Sequence, residues 1–311
     1  MQTPADLIVI LGTGGTIAGT AKTASDGVGY TAAQLRVEDL LAAVPALQGR
    51  RLEAHQIAQL DSKDMDFTTW QRLAQQVDAQ LSRPEVKGVV VTHGTDTVEE
   101  TAYFLQRVLA PNKPVVMTAA MRPATALQAD GPQNLLDAVV VASDVYASGV
   151  LFAFAGAIHS AEQLRKVHSY RIDAFDSAEG ARLGVIEEGR VRWHLRTALP
   201  LAPLGLARVD RPAAQWPRVQ ILMNHVGADG AIVRALIAEG VDGLVVAGTG
   251  NGTLSASLDA ALREAQAQGV RVLRSTRCDA GPVMELPGLL PSAGSLSPVK
   301  ARIELILALL A

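Results

Sequence analysis

Short apolar runs rich in β-branched residues recur along the first two-thirds of the chain, each handing over to a turn and then a helical pattern. Leu7–Leu11, Gly88–Thr92, Pro114–Thr118 and Gly149–Phe154 have almost no polar positions. A strand apolar on both faces must be covered on both faces, which points to βαβ units around a mainly parallel sheet. Between the runs, Trp70, Leu73, Val77 and Leu81 share one face at helical spacing. So do Val98, Ala102, Leu105 and Leu109, with Asp96 or Thr97 placed to cap the first turn. Another helix is expected after Asp130-Gly131-Pro132, where proline suits a first turn. Val185–Trp193 reads as a hairpin with Gly189 near its turn.

The pattern breaks between His194 and Pro217, where four prolines (200, 203, 212 and 217) accompany no sustained periodicity. The expectation is therefore an α/β chain in two parts. A larger N-terminal domain with a mainly parallel sheet occupies 1–193, a linker 194–217, and a smaller C-terminal α/β domain 218–311. In the second part Val219–Met223, Gly243–Ala247 and Val270–Ser275 read as strands. Helices end at Gly240 and Gly269, and a last helix follows Pro298.

Charge narrows the function classes. The 311 residues carry 28 basic and 31 acidic side chains, a formal charge of −3, and no basic run that would track a polyanion. Nucleic acid is not an expected partner. Nor is a membrane, since the longest apolar stretches, such as Val150–Ile158, fall short of the ~18 residues a span needs. The single cysteine, Cys278, allows no internal disulfide. With no basic residue before Lys22, the N-terminus does not read as a secretory signal, so the cytoplasm is the expected compartment. Six histidines show no pair at metal-ligand spacing, and neither metal nor cofactor is expected.

Three segments carry chemistry. In Leu11-Gly12-Thr13-Gly14-Gly15-Thr16-Ile17-Ala18-Gly19, glycines after a strand let the backbone turn sharply and approach a ligand. Taken alone the segment suits a phosphate site, a plain tight turn, or a turn that places a threonine hydroxyl. It departs from both the dinucleotide and the Walker patterns. In Val90–Thr101 (VVTHGTDTVEET), Thr95 and Asp96 fall at a helix start, where they serve either as cap or as anion-side groups. The third is Lys166. The chain uses 22 arginines and only six lysines, and a lysine can shed its proton when desolvated whereas a guanidinium cannot. Read alone, Lys166 is either a solvated surface charge or such a base.

TGGTIAG (13–19), HGTDTVEETAYFL (93–105) and MRPATALQADGPQNL (121–135) together resemble the bacterial L-asparaginase and glutaminase-asparaginase family. DSKDM (61–65), AGTGNGT (247–253) and SPVKAR (297–302) add to the likeness, which spans the whole chain. It is nearer the secreted type-II branch, although the signal and the cysteine pair of that branch are missing.

The resemblance implies an L-asparagine amidohydrolase releasing L-aspartate and ammonia through a threonine nucleophile, with L-glutamine as a second substrate. Carried over, Thr16 and its partner Tyr30, in an N-terminal lid, form one centre. Thr95, Asp96 and Lys166, in a dry pocket, form the other. Asp96 holds the substrate ammonium, and Ser62 with the Gly94–Thr95 amides takes the carboxylate. The amide around Ala119–Ala120 contributes to the oxyanion site. Asn251 reaches a neighbouring subunit's site, which implies a homotetramer built from dimers that share active sites. His93 reads as structural.

One departure stands out. Where the type-II branch usually has glutamine after the serine, this chain has Lys63, a cation that favours the substrate carboxylate and repels its ammonium. Two other readings stay open at this stage. One is the amidase subunit of a tRNA-dependent amidotransferase, which needs a tRNA-binding partner and further N-terminal sequence. The other is a non-catalytic amino-acid or nucleotide-binding module.

Overall fold

In the computed structural model, the described residues are 7–177, 180–195 and 202–311. The run Leu7–Gly14 forms strand β1, buried at every position. It stays dry because it has a parallel neighbour on each side, β2 (Leu52–Leu60) and β3 (Val86–Thr92). Beyond β3 the sheet continues in parallel through β4 (Val115–Thr118) and β5 (Val150–Phe154). The chain then reverses at Ala155-Gly156, both at positive φ (47° and 74°), into antiparallel β6 (Ala157–Ser160). A separate two-stranded ribbon follows, β7 (Leu164–Lys166) with β8 (Phe175–Ser177). The hairpin expected at 185–193 is β9 (Gly184–Glu187) and β10 (Arg190–Trp193), turning at Glu188-Gly189 with φ of 48° and 69°. The finished sheet has eight strands in the order β10-β9-β6-β5-β4-β3-β1-β2.

Helices α1 (Val37–Ala42), α2 (Phe67–Leu81), α3 (Val98–Leu109) and α4 (Gly131–Ala142) accompany this sheet. Ile8, Ile10, Val90 and Val116 share a core with Leu135 and Val139 of α4. Trp70 of α2 stacks on Phe104 of α3 with ring centroids 4.7 Å apart. The start of α2 is fixed by Asp66, whose carboxylate accepts from the Thr69 N–H at 2.7 Å. The start of α3 is different. Thr97 occupies the cap position, but its hydroxyl donates to the Ser62 carbonyl instead of accepting from the helix.

The chain divides into two compact units at Leu206 and Ala207. Part of the stretch expected to link them, 196–201, lies outside the described residues. The rest is not featureless, since Leu206–Val209 and Ala213–Gln215 form 3-10 turns and bury Val209 and Trp216. The second unit holds a three-stranded parallel sheet, β11 (Val219–Met223), β12 (Gly243–Gly248) and β13 (Arg271–Thr276). Around it lie α5 (Ala231–Ala238), α6 (Ala256–Ala267) and α7 (Pro298–Leu309), over a core that includes Val233, Leu244, Val246, Leu258 and Leu262. Among the described residues no helix is long and apolar enough to cross a membrane.

The order 2-1-3-4-5 within the large sheet fixes where a ligand fits. The connection from β1 leads to one side and the connection from β2 returns to the other. A crevice therefore opens beyond the carboxyl ends of β1 and β3.

Candidate active site

Three turns meet at that crevice. After β1 the chain turns through Gly14 and Gly15 at φ of 104° and 81°, a region that L side chains rarely adopt. Thr13 ties the end of β1 to β3 by donating to the Thr92 carbonyl at 2.9 Å, and Gly15 N–H donates to the Leu60 carbonyl of β2 at 2.9 Å. A Cβ on Gly15 would collide with the backbone of Gly94, and one on Gly94 would strike the Ser62 side chain. The turns after β1, β2 and β3 thus interlock where no side chain fits. Thr16 and Thr95, next along the chain from those two glycines, are each only 6% exposed.

Each threonine has its own partner. Thr16 Oγ1 and Tyr30 Oη lie 2.6 Å apart. Tyr30 sits in a loop closed at its base by reciprocal backbone bonds between Thr20 and Thr31, both 2.9 Å. Lys166, at the end of β7, donates to Thr95 Oγ1 at 3.0 Å and to Asp96 Oδ1 at 2.7 Å. The sequence reading of a dry pocket needs correction for one member of this group. The lysine side chain is 18% exposed, but the Asp96 side chain is 54% exposed, so its carboxylate faces the solvent side of the crevice.

Ser62 is buried, and its hydroxyl accepts from the Asp96 N–H at 3.2 Å. Lys63 does not reach across to compete with it. Its ammonium pairs with Asp61 at 2.5 Å and lies 3.8 Å from Asp64, and the side chain is largely exposed. The hydrogen bond that Lys63 donates to Asp61 raises the lysine's pKa, and Asp64 and Asp96 add smaller electrostatic contributions in the same direction. The cation is thus already matched by its own loop.

His93 anchors the turn from beneath. It is fully buried, and burial holds its pKa down at about 4, so it is neutral near neutrality. The Gly94 carbonyl only accepts, so Nδ1 carries the proton in that 2.8 Å bond. Nε2 then accepts from the Thr101 hydroxyl at 3.0 Å, and that hydroxyl accepts from Trp70 Nε1 at 2.9 Å. The sequence assignment of a structural role fits this chain of bonds.

Ala120 lies buried just past β4. The peptides on either side of it are held by two residues to which the sequence reading gave no role. Asp130 accepts from the Met121 and Arg122 N–H groups at 2.9 Å each. Asn134 donates to the Ala119 carbonyl at 3.0 Å and to Asp130 at 3.1 Å, and accepts from the Ala155 N–H at 3.0 Å. Burial raises the Asp130 pKa, opposed by these bonds. The only sequence signal for the pair is their place in the 121–135 motif.

Asn251 belongs to the second unit, in a turn after β12 closed by backbone bonds between Thr249 and Thr253. Its side chain accepts from the Met284 N–H at 2.8 Å. The buried Arg274 guanidinium supports the same turn, donating to the Asn251 and Gly252 carbonyls at 3.2 and 3.3 Å. Glu285 accepts from the Ser292 N–H at 2.8 Å.

Both units of the chain match known proteins. Residues 7–199 match the family model "Asparaginase, N-terminal" and 218–311 match "Glutaminase/Asparaginase C-terminal domain". The chain is 36% identical to L-asparaginase 2 of Escherichia coli (strain K12), over 97% of its own length and 88% of the relative's. It is 35% identical to the glutaminase-asparaginase of Pseudomonas fluorescens biotype A, covering 97% and 86%. The crystal structure of a probable cytoplasmic L-asparaginase from Campylobacter jejuni superposes with a TM-score of 0.91 at 38% identity, covering 97% of this chain and 94% of that one. With two family models matching in order over both units, the chain belongs to the asparaginase and glutaminase-asparaginase family.

Proposed function

We propose that this chain hydrolyses L-asparagine to L-aspartate and ammonia, and accepts L-glutamine as a second substrate. The observation that carries the reading is the pair of nearly buried threonine hydroxyls, each with its own proton-handling neighbour, on turns interlocked at the sheet's switch point. A threonine hydroxyl attacks only when its proton has somewhere to go. In this mechanism Thr16 Oγ1 bonds to the side-chain carboxamide carbon and passes its proton through Tyr30 toward the leaving nitrogen. The C–N bond breaks, ammonia leaves, and an aspartyl ester remains on Thr16. Water then adds to the ester, the acyl C–O bond breaks, and a proton from the water restores the Thr16 hydroxyl. Lys166, once it has shed a proton, takes one from Thr95, and Thr95 activates the water.

Binding follows from charge. The half-exposed Asp96 carboxylate receives the substrate ammonium, displacing part of its contact with Lys166. Ser62 and the Gly94–Thr95 amides take the α-carboxylate, and the Ala120 peptide stabilises the oxyanion. The assembly in this proposal is a homotetramer of dimers in which Asn251 completes a neighbour's site, working in the cytoplasm. The tRNA-dependent amidotransferase reading is not favoured by relatives such as the Escherichia coli L-asparaginase 2, which match over nearly the whole chain.

The test is ammonia release from L-asparagine, L-glutamine and D-asparagine by the wild type, Thr16→Ala and Thr95→Ala. L-Asparagine turnover that collapses in both variants supports the proposal. No ammonia from any substrate overturns it in favour of a binding module. An active monomer in size exclusion at assay concentration overturns the shared site.

A further inference from the structure

The loop that carries Tyr30 is fastened to the rest of its unit at several points. Besides the Thr20–Thr31 bridge, Ala21 N–H donates to Thr125 Oγ1 at 2.8 Å, Leu127 N–H to the Ala24 carbonyl at 3.1 Å, and Ala124 N–H to the Gly19 carbonyl at 2.9 Å. These bonds dock the near half of the loop on the segment after β4. The far half rests on something else. At Gly27 a Cβ would lie 3.3 Å from the Tyr170 hydroxyl and 3.7 Å from Arg122 Cδ. The Arg122 guanidinium sits 4.1 Å from the centroid of the Tyr170 ring and donates to the Tyr170 carbonyl at 3.0 Å. A cation over an aromatic face is attractive, and here a hydrogen bond fixes its orientation.

Tyr170 is joined to Lys166 through a hydrogen-bonded turn. The turn between β7 and β8 is closed by Val167 and His168 N–H groups donating to the Ala174 carbonyl, and His168 Nδ1 accepts from the Tyr170 and Arg171 N–H groups at 3.0 Å each. The Arg122 backbone is held as well, its N–H donating to Asp130.

We propose that Arg122 and Tyr170 form a latch that positions the Tyr30 loop and the Lys166 segment together, a role that rests on the amidohydrolase reading above. When Gly27 is seated on the stacked pair, Tyr30 stands at Thr16 and Lys166 at Thr95. When the stack is lost, the loop opens and both pairs lose their register at once. Arg122 and Tyr170 are positioning residues in this account. A glycine at 27 suits the seat, because a side chain there would press on the stack.

The latch can be read without activity. Lys22 is exposed in the loop, so trypsin nicking between Lys22 and Thr23 tracks how often the loop opens far enough to enter a protease. We compare the wild type with Tyr170→Ala, Arg122→Gln and Tyr170→Phe, identifying the nick by the new N-terminus at Thr23. The expected result is nicking at least about tenfold faster in Tyr170→Ala and Arg122→Gln, with kcat/KM for L-asparagine reduced about tenfold or more through misplacement of catalytic groups. Tyr170→Phe, which keeps the ring face and the carbonyl, should restore both. Wild-type nicking in Tyr170→Ala overturns the latch, and faster nicking with unchanged kcat and KM overturns the positioning role. If the wild type releases no ammonia, the amidohydrolase reading fails while the nicking comparison still decides whether the latch exists.

Discussion

Two neutral histidines buried in the large unit make its stability fall at mildly acidic pH. His93 and His159 are almost wholly buried, and burial brings both from the ordinary 6.5 down to about 4. A group whose pKa is lowered on folding contributes stability that is present above its unfolded pKa and is lost as the pH falls toward its folded one. Near pH 5 an unfolded histidine is almost fully protonated while these two remain neutral. The pH lies ~1.5 units below the unfolded pKa, at about 1.4 kcal/mol per unit, so each histidine costs about 2 kcal/mol and the pair about 4. Asp130 and Asp137, whose pKa values burial raises, take up protons in the folded state and oppose the loss, while carboxylates held low by arginine, such as Glu53, add slightly to it. Hydrogen exchange of the β3 amides, corrected for intrinsic rates, reads the effect between about pH 7 and about pH 5. Protection should fall by roughly thirtyfold per histidine. In His159→Phe, which removes one titration beside Phe152, the pH dependence should be about half as steep. Protection that is flat over this range in the wild type would refute the reasoning.

Other outcomes follow from particular contacts. Gly15→Ala forces a side chain into the Gly94 backbone at a φ of 81°, and should lower stability by more than about 2 kcal/mol, read as a drop in Tm. Asp130→Ala leaves the Met121 and Arg122 amides without their acceptor. It should cost about 1–3 kcal/mol in chemical unfolding, and a loss near zero would show that water replaces the carboxylate. Lys63→Gln should change KM for L-asparagine more than kcat, by only a few fold because the cation is already paired with Asp61; an unchanged KM would remove Lys63 from substrate binding.

The parallel strands were legible because sequences such as LIVIL and GVVV, apolar on both faces, suit little else. β2 was not, because it is an edge strand whose polar positions include His55 and Gln59 and which fully buries only Ile57. The interlocking of Gly15, Gly94 and Ser62 could not be read from spacing, since those residues meet only through the order of the strands. The Thr16–Tyr30 and Thr95–Lys166 pairs are expected from family resemblance alone, and the fold brings both within hydrogen-bond distance. The Asp130–Asn134 clamp went unassigned because its partners are backbone groups, which leave no mark in the sequence. The exposure of Asp96 is not legible in the sequence either, because burial of a single carboxylate depends on loops distant along the chain.

The central claim is that Thr16 carries the acyl group and that the Thr95–Lys166 pair resolves it. The most direct measurement is rapid acid quench of enzyme mixed with L-asparagine, followed by intact mass and peptide mapping. The account predicts one aspartyl group on the peptide containing Thr16, accumulating further in Lys166→Met, where the water step is slowed. An adduct on Thr95, or Thr16→Ala turning over near the wild-type rate, would contradict it.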